Sequence, residues 1–464
     1  MKTSRFLFVA LSSLLLYSCG GGGGSIQISP PAPTVRNEWT WVKGSNLSGQ
    51  QNVSGGTGTT SAADTPGGRE GMATSTDARG NLWLFGGAVS NVGNQGLGTN
   101  RLNDLWEYSG GTWTWVTGGV VYDETGIYGI EGAPDASNRP GARESAISWI
   151  DSTGNVWLFG GYGMDSQGST GLLNDLWRYS AGEWTWMSGS DLVNQGGVYG
   201  TKGTPASGNV PGRRRGGVGW IDASGNLWLF GGFVSDQQNF AAALNDLWKY
   251  SSGQWTWMGG SDTVDQDGVY GTEGTPSPGN IPGARGGVVS WTDGSGHVWI
   301  FGGTVISSNF YAYYNDLWEY NGGQWAWMGG SNTPSARGVY GTKGTPAAGN
   351  TPGARSSPAA CTDSTGNMWL FGGYGIDSSG NYGLLNDLWK FAGGQWTWVG
   401  GSNGINDGAV YGTQGTAAAG NFPGARGGAS TWRDSSGDLW LFGGSGYDST
   451  GNEGDLNDLW LYQP

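Results

Sequence analysis

The chain has 464 residues, of which 94 are glycine, 28 are tryptophan and only 12% are charged. This composition excludes a disordered chain, because disorder goes with few aromatic residues and a high charge. The formal net charge of −14 argues against sequence-independent binding to nucleic acid, which needs a basic surface that neutralises phosphates.

The first residues are typical of an export signal. Lys2 and Arg5 precede an apolar run, residues 6–16, that is too short to span a bilayer but suits the core of a signal peptide. The following Leu16-Tyr17-Ser18-Cys19 is similar to the bacterial lipobox, although Tyr17 is bulkier than the residues usual there. We expect Cys19 to be lipidated after cleavage. The alternative is an ordinary secretory signal.

The expected organisation has three parts. Residues 1–18 are predicted to be the signal peptide, residues 19–37 a lipidated tether rich in glycine and proline, and residues 38–464 one folded body. The protein is thus predicted to leave the cytoplasm and to reside in the bacterial cell envelope as an outer-membrane lipoprotein. It would contact the membrane only through its lipid.

The folded body consists of repeats. The tetrapeptide NDLW occurs six times at intervals of 70 or 71 residues, beginning at Asn103, Asn174, Asn245, Asn315, Asn386 and Asn457. A Phe-Gly-Gly triplet precedes each copy, and a Trp-x-Trp pair recurs with the same period. A fixed period of this kind indicates stacked structural units that share one core.

One unit reads as four short strands. In the third repeat these are residues 216–221, 226–230, 247–250 and 255–258, each rich in apolar or aromatic residues and bounded by turn residues. Trp39-Thr40-Trp41 matches the fourth strand segment of a repeat but has no first three segments before it. The last repeat has the first three segments and lacks the fourth. The two ends of the chain are therefore predicted to complete one sheet together, which protects its edges.

The repeat resembles the kelch repeat, on the paired Gly231-Gly232 and on Tyr250 and Trp257, an aromatic pair with six residues between them. The repeat of about 71 residues is longer than the roughly 50 usual for kelch. The resemblance implies an all-β, six-bladed kelch-type β-propeller with four antiparallel strands per blade, similar to the central domain of galactose oxidase.

Long connections are predicted to gather at one face of this propeller, and the hypothetical ligand site is placed there. The segments between the fourth strand of one blade and the first strand of the next have a constant length, which favours packing on neighbouring blades over ligand contact. The variable connections, residues 88–102 and 304–314, would make the face asymmetric. Their aromatic residues, suited to stacking on sugars or protein, are Phe310, Tyr311, Tyr313 and Tyr314.

Six arginines recur two residues after a Pro-Gly, at Arg69, Arg143, Arg214, Arg285, Arg355 and Arg426. A ring of guanidinium groups is suited to binding a carboxylate or sulfate, although a structural role in each repeat is the alternative. The next residue is charged in three adjacent repeats, as Glu70, Glu144 and Arg215. All nine residues belong to the predicted ligand site.

Other acidic residues are predicted to be structural. The aspartates that follow each first strand, and the Asn-Asp of each NDLW, are interpreted as capping and turn residues. Asp165, Asp377 and Asp448 lie in DSxG loops, for which solvated turns are favoured over a calcium site.

Metal and triad chemistry find little support. His297 is the sole histidine and Cys361 the sole cysteine besides Cys19, so we expect no metal, no cofactor and no catalytic triad. Copper chemistry of the galactose oxidase type needs two histidines. Cys361 is interpreted as a buried structural thiol.

Two functions remain open. The first is a non-catalytic, surface-tethered module, expected to be monomeric, that binds a glycan or an envelope protein. The second is a carbohydrate-active enzyme such as a sugar mutarotase or epimerase, in which Glu70, Glu144, Arg214 and Arg215 would transfer protons and bind an anion.

Overall fold

The computed structural model describes residues 37–90, 99–119, 121–234, 242–307 and 310–464. The predicted signal peptide, the lipidation site Cys19 and nearly all of the tether lie outside the described residues. The described part is all-β, without a helix, and its strands form antiparallel sheets of the kind found in β-propellers. Residues 36–464 form one compact unit.

Most of the strands lie in six sheets of four or five strands, and these sheets are numbered here by their first strands in chain order. Sheet 1 consists of Ala73–Thr76, Leu82–Ser90, Thr99–Ser109 and Thr112–Thr117. Sheet 2 consists of Ile147–Ile150, Val156–Met164, Thr170–Ser180 and Glu183–Ser188, with Arg143–Glu144 also paired to its second strand. Sheet 3 consists of Val218–Ile221, Leu227–Phe233, Ala243–Ser251 and Gln254–Gly259.

The remaining sheets follow the same order. Sheet 4 consists of Val289–Thr292, Val298–Phe301, Leu317–Asn321 and Gln324–Gly329. Sheet 5 consists of Ala359–Thr362, Met368–Ile376, Tyr382–Ala392 and Gln395–Gly400, with Arg355–Ser356 paired to its second strand. Sheet 6 consists of Ser430–Arg433, Leu439–Phe442, Leu459–Tyr462 and Trp39–Lys43. Two small sheets are formed by Thr304–Ser307 with Phe310–Tyr313, and by Arg426–Gly427, Ser445–Tyr447 and Glu453–Asp455.

Sheet 6 takes its outer strand from the other end of the chain. Trp39 pairs with Tyr462, and Trp41 pairs with Trp460, in antiparallel register. The sequence predicted this pairing from the missing segments at each end.

The second and third strands are longer than predicted in four of the six sheets. In sheet 3 the second strand continues past Phe230 through Gly231 and Gly232, which have φ of 65° and 108°. A bulge between Phe230 and Gly232 shifts the register, after which Phe233 pairs with Ala243. Glycine is needed there because it alone adopts such φ values without strain.

The apolar core lies between the sheets. Six clusters of buried residues each join two sheets, namely sheets 1 and 2, 2 and 3, 3 and 4, 4 and 5, 5 and 6, and 6 and 1. Tryptophan dominates them: Trp106, Trp177, Trp248, Trp318, Trp389 and Trp460 are all 1% exposed or less. A single sheet has little to bury on its own, so neighbouring sheets stabilise one another.

The long connection that enters each sheet is anchored to that sheet's outer strand. Gly203 donates its backbone N–H to the carbonyl of Trp257 at 2.8 Å, and Asn209 Nδ2 donates to the carbonyl of Trp255 at 3.2 Å. The last connection does the same across the chain ends, because Gly415 donates to the carbonyl of Trp41. The prediction that these connections pack on neighbouring sheets is confirmed.

A buried ion pair recurs inside every sheet. Arg214 Nη1 and Nη2 donate to the two carboxylate oxygens of Asp246 at 2.7 and 2.8 Å, and both residues are fully buried. The Trp248 indole and the Tyr199 hydroxyl donate to the same carboxylate at 2.7 and 2.8 Å. Burial alone would lower the pKa of Arg214, but the Asp246 carboxylate raises it above its ordinary value. The guanidinium therefore stays charged, and the strands of the sheet and its entering connection supply the hydrogen bonds around the pair.

The six pairs are Arg69 with Asp104, Arg143 with Asp175, Arg214 with Asp246, Arg285 with Asp316, Arg355 with Asp387 and Arg426 with Asp458. In five of them a tyrosine of the entering connection adds its hydroxyl. In sheet 1 no tyrosine is available, and Asn52 takes its place by accepting from Arg69 Nη2 at 2.6 Å.

We predict that Asp246→Ala lowers the free energy of unfolding by about 3–5 kcal/mol, because it leaves the Arg214 guanidinium buried without a counter-ion. Chemical denaturation measures this loss. The matched control is Asp262→Ala, which removes an exposed carboxylate and is expected to have almost no effect. Equal stability of the two variants would refute the structural role of the pair.

Candidate functional site

Six backbone hydrogen bonds form a closed ring where the beginnings of the first strands of the six sheets meet. Each residue donates its N–H to the carbonyl of the next, at 2.7 to 3.2 Å, and the sixth bond returns to the first residue. We call this set the axial ring; its members, in order of donation, are Gly71, Gly428, Ser357, Gly287, Gly216 and Ser145. All six have φ between 50° and 63°, which is unusual for the two serines.

The residue before each ring member lies on the side where the long connections enter, and this side is called the loop mouth. Its six positions are Glu70, Glu144, Arg215, Gly286, Ser356 and Gly427. Since ring members from adjacent sheets are bonded together, Glu70 lies beside Glu144 and Glu144 beside Arg215. The structure thus brings together the three charged residues that the sequence singled out.

The carboxyl group of Glu70 has an unusual environment. Burial, together with the nearby carboxylates of Asp455 and Glu144, raises the pKa of Glu70 to about 7, and Arg215 acts in the opposite direction. Asp455 is 2% exposed, and burial raises its pKa to about 6. One of its carboxylate oxygens accepts from the backbone of Ser90, whereas the other is buried without a hydrogen-bond partner. Both carboxyl groups therefore change protonation state close to neutral pH.

Glu144 is held in place by a cation. Arg101 Nε donates to Glu144 Oε1 at 3.2 Å, and both side chains are less than 10% exposed. The Arg101 guanidinium also lies 4.5 Å from the centre of the Tyr162 ring. Glu144 is consequently a fixed, paired acceptor, in contrast to Glu70.

Arg215 is the one cation at these six positions, and its guanidinium makes no hydrogen bond or ion pair with any residue that the structure describes. It lies between two aromatic rings, 5.8 Å from the centre of Tyr162 and 5.9 Å from that of Phe233. Its Nε is buried and has no partner. A positioned guanidinium of this kind has donors left for a ligand.

Tyrosines occupy the sheets on the other side of the loop mouth. Tyr313 is 7% exposed, and the rings of Tyr311, Tyr374 and Tyr382 lie 6.3, 5.7 and 6.0 Å from it. Those three outer tyrosines are 59%, 41% and 48% exposed. Tyr374 pairs with Ser356, which occupies the same place in its repeat as Glu70 does in the first. We call these four residues the tyrosine platform.

Two of the aromatic residues predicted for this cluster do not belong to the platform. The ring of Tyr314 instead covers the Arg285 guanidinium, which lies 4.5 Å from its centre. Phe310 is the first residue of a short strand, and its side chain lies outside what the structure describes.

The six repeated arginines are not at the surface, which corrects the expectation that they bind a ligand. Arg69, Arg143, Arg214, Arg285, Arg355 and Arg426 are 0 or 1% exposed. Their hydrogen bonds go to the paired aspartate and to other protein oxygens inside the sheet region, and their guanidinium groups do not reach the surface. Only the structural alternative agrees with their contacts.

The aspartate of NDLW also differs from its predicted role. It lies within or just before the third strand and accepts from the buried arginine, whereas the adjacent asparagine does cap a turn, as Asn245 Oδ1 does by accepting from the backbone of Ser261. The aspartates after the first strands are turn residues as expected, since Asp222 accepts from the backbone of Ser224 and Asn226.

The DSxG loops form turns as predicted, but Asp165, Asp377 and Asp448 are 2 to 3% exposed, so these aspartates are buried and not solvated. Asp165 Oδ1 accepts from the backbone of Gln167 and Ser169, and its Oδ2 accepts from Val193. Within the described residues no group of three acidic, histidine or cysteine side chains is placed to hold a metal ion. Nor does any described helix have the length and apolar character needed to cross a membrane.

A cavity of about 570 Å³ lies on the opposite side of the axial ring from the loop mouth. Its wall comes from the first strands of all six sheets and from turns of sheets 1 and 6, and it includes Cys361. The thiol is half-buried, and burial raises its pKa to about 12, so it is neutral and unreactive. The sequence did not predict this cavity.

Sequence reasoning missed Asp455, Arg101, Tyr374 and Tyr382 at the loop mouth. Their only signal was position, because each lies on the extension of a second or third strand beyond the Gly-Gly pair. How far these strands extend depends on how the register shifts at the bulge. The spacing of motifs in the sequence does not reveal that shift.

No protein-family model matches the chain, and no curated protein matches it. Among solved structures, one reported as the structure of YjhT is 14% identical, with 85% of this chain and 95% of that chain covered and a TM-score of 0.45. A fungal alcohol oxidase of the AA5 family in complex with copper is 14% identical, with 85% and 74% covered and a TM-score of 0.42. A protein of unknown function from Dyadobacter fermentans DSM 18053 is 9% identical, with 93% and 99% covered and a TM-score of 0.47. The fold described above stands on the strand pairing of this chain.

We predict that stability falls as the pH rises through the pKa of Glu70. Its pKa in the folded protein, about 7, lies above its ordinary value of 4.5, so the folded state binds the proton more tightly than the unfolded state. The resulting stabilisation is complete below pH 4.5 and is lost above pH 7. Glu70→Gln should therefore flatten the pH profile of the unfolding midpoint and stabilise the protein above pH 7.

The control for this experiment is Glu131→Gln, which alters an exposed carboxylate away from the loop mouth. It should leave the profile of the original protein unchanged. A Glu70→Gln profile with the original slope between pH 4.5 and 7 would contradict the buried, coupled environment of Glu70.

Proposed function

We propose that the chain is a six-bladed, kelch-type β-propeller closed by its own two ends. Three observations support this: the six four-stranded sheets, the pairing of Trp39–Lys43 with Leu459–Tyr462, and the core cluster shared by sheets 6 and 1. The amino-terminal sequence adds that the propeller is exported and tethered to the bacterial outer membrane through a lipid on Cys19. On this proposal the propeller acts as a monomeric, surface-tethered binding module.

The proposed ligand is a glycan, bound at the loop mouth. The observation that carries this proposal is the division of the mouth into a polar side and an aromatic side. Glu144 and Arg215 offer a fixed acceptor and uncommitted donors on one side, and the tyrosine platform offers exposed rings on the other. A sugar presents hydroxyl groups at its rim and apolar C–H faces, which is the complement of such a surface.

The aromatic side favours a sugar ring over a flat protein surface. The three outer tyrosines surround the buried Tyr313 ring. Each of them offers the apolar face of its ring together with a hydroxyl group. Exposed tyrosines bring large contact areas with little loss of side-chain entropy, since each has two side-chain torsions. An envelope protein remains the alternative partner and is decided by the same binding experiment.

We predict that the combined variant Tyr311→Ala, Tyr374→Ala and Tyr382→Ala binds its glycan at least about tenfold more weakly, because each ring contributes about 0.5–1.5 kcal/mol. A glycan array probed with the full-length protein identifies the ligand, and titration of the best one gives the affinity. The matched control replaces three exposed valines of the long connections, Val198, Val269 and Val339, by alanine.

The control variant should bind like the original protein. Binding to no glycan on the array, or an equal loss of affinity in both triple variants, would overturn the proposed function. Retention of an envelope protein by the original protein and not by the tyrosine variant, with no glycan bound, would assign the surface to protein recognition instead.

A second candidate function is proton transfer on a sugar, as in a mutarotase or epimerase. The observation that favours it is the pKa of Glu70, about 7, beside Arg215, whose guanidinium makes no hydrogen bond within the described residues. A carboxyl group with this pKa exchanges its proton readily at neutral pH and is suited to general acid–base catalysis. Arg214 takes no part, because its guanidinium is committed to Asp246.

For this candidate, the expected result is that Glu70→Gln lowers the rate of anomer exchange of the bound sugar by about 10²- to 10⁴-fold while its affinity changes little. Exchange is measured by NMR at equilibrium with the full-length protein. Glu144→Gln serves as the comparison, since it removes a paired acceptor and should act mainly on affinity. An unchanged rate of anomer exchange in Glu70→Gln would reject the catalytic candidate and leave glycan binding as the proposed function.

A further inference from the structure

The cavity opposite the loop mouth has a wall of distinct chemistry. It is lined mainly by short polar side chains of the first strands, among them the hydroxyl groups of Thr74, Ser148, Ser290 and Thr431. The axial ring lies three residues before these positions in each repeat, so it separates the cavity from the loop mouth. The cavity therefore has a polar wall and opens on the side of the turns that follow the first strands.

The charged side chains in this wall are mostly held by hydrogen bonds within their own turns. Asp434 Oδ1 accepts from the backbone of Ser436 and its Oδ2 accepts from the Trp440 indole. Asp77 accepts in the same way from the backbone of Arg79 and from Asn81. These bonds fix both carboxylates in place without cancelling their charge.

Arg433 is the exception. It is the last residue of the first strand of sheet 6, and it lines the cavity. Within the described residues its guanidinium makes no hydrogen bond or ion pair. The corresponding positions in the other repeats carry no charge; they are Thr76, Ile150, Ile221, Thr292 and Thr362.

A second polar group of the same strand has only a weak partner. The hydroxyl group of Thr431 is buried, and it lies beside the Cys361 thiol, which is a weak hydrogen-bonding group. Arg433 and Thr431 are two residues apart on one strand, so both side chains leave it on the same face. The wall thus combines one cation with a weakly bonded hydroxyl group.

We propose that this cavity is a second binding site, for a small hydroxylated carboxylate such as a sugar acid. The guanidinium of Arg433 would bind the carboxylate through two parallel hydrogen bonds, and the hydroxyl groups of the wall would bind those of the ligand. The volume of about 570 Å³ lies within the range of small-molecule sites and accommodates a six-carbon acid. This site is independent of the glycan site, because it uses none of the same residues.

The test compares gluconate with sorbitol, which has the same carbon chain and hydroxyl groups but no charge. Calorimetric titration of the full-length protein should show binding of gluconate at millimolar concentrations and binding of sorbitol at least about tenfold weaker, since hydrogen bonds between charged groups contribute about 1.5–3 kcal/mol. Arg433→Gln should lower the affinity for gluconate by the same factor. Arg433→Lys keeps the charge without the planar fork and should fall between.

The matched control is Arg213→Gln, which removes an arginine of the connection that enters sheet 3 and does not line the cavity. It should bind gluconate as the original protein does. Equal affinity for gluconate and sorbitol, or full binding of gluconate by Arg433→Gln, would each overturn the proposal.

Discussion

The buried arginine–aspartate pair is the interaction on which every sheet depends. A guanidinium without surrounding water must find its partners in the protein, and for Arg214 one aspartate and two glycine carbonyls supply them. The Tyr199 hydroxyl donates to the aspartate of the same pair. The cost of desolvating two charges offsets much of their attraction, so the net contribution of such a pair to stability is small. The pair strongly disfavours any arrangement of the chain that separates the arginine from the aspartate. The beginning of the first strand, the Gly-Gly bulge, the third strand and the entering connection therefore stay together in each repeat.

This constraint explains why the repeats are so alike and where they are allowed to differ. Residues that supply the pair, the bulge and the inter-sheet tryptophans serve the same purpose in every sheet. The position after each arginine lies beyond the pair and beside the axial ring, and the six repeats carry different residues there. Glu70, Glu144 and Arg215 occupy this position on three adjacent sheets. Arg433 is a similar departure from the repeat on the other side of the axial ring. Chemistry in this protein comes from departures from the repeat.

The sequence was sufficient to predict the strands and the pairing of the two chain ends, because both follow from period and from missing segments. It also predicted which connections pack and which residues carry charge at the loop mouth. It did not predict that Arg214 meets Asp246, since a shared period places equivalent residues on equivalent sheets without saying which buried polar groups meet. Tyr374 and Asp455 were missed for a related reason: their positions depend on how far the strands continue past a bulge.

The pairing of Trp39 with Tyr462 has a consequence for how the chain reaches its final state. These residues are more than 400 positions apart, and closing so long a loop carries an entropic cost before any contact rewards it. Trp39–Lys43 is made long before Leu459–Tyr462, so the earliest strand has no partner in sheet 6 until the chain is nearly complete. A chain that lacks Leu459–Tyr462 would leave Trp39–Lys43 without its neighbouring strand.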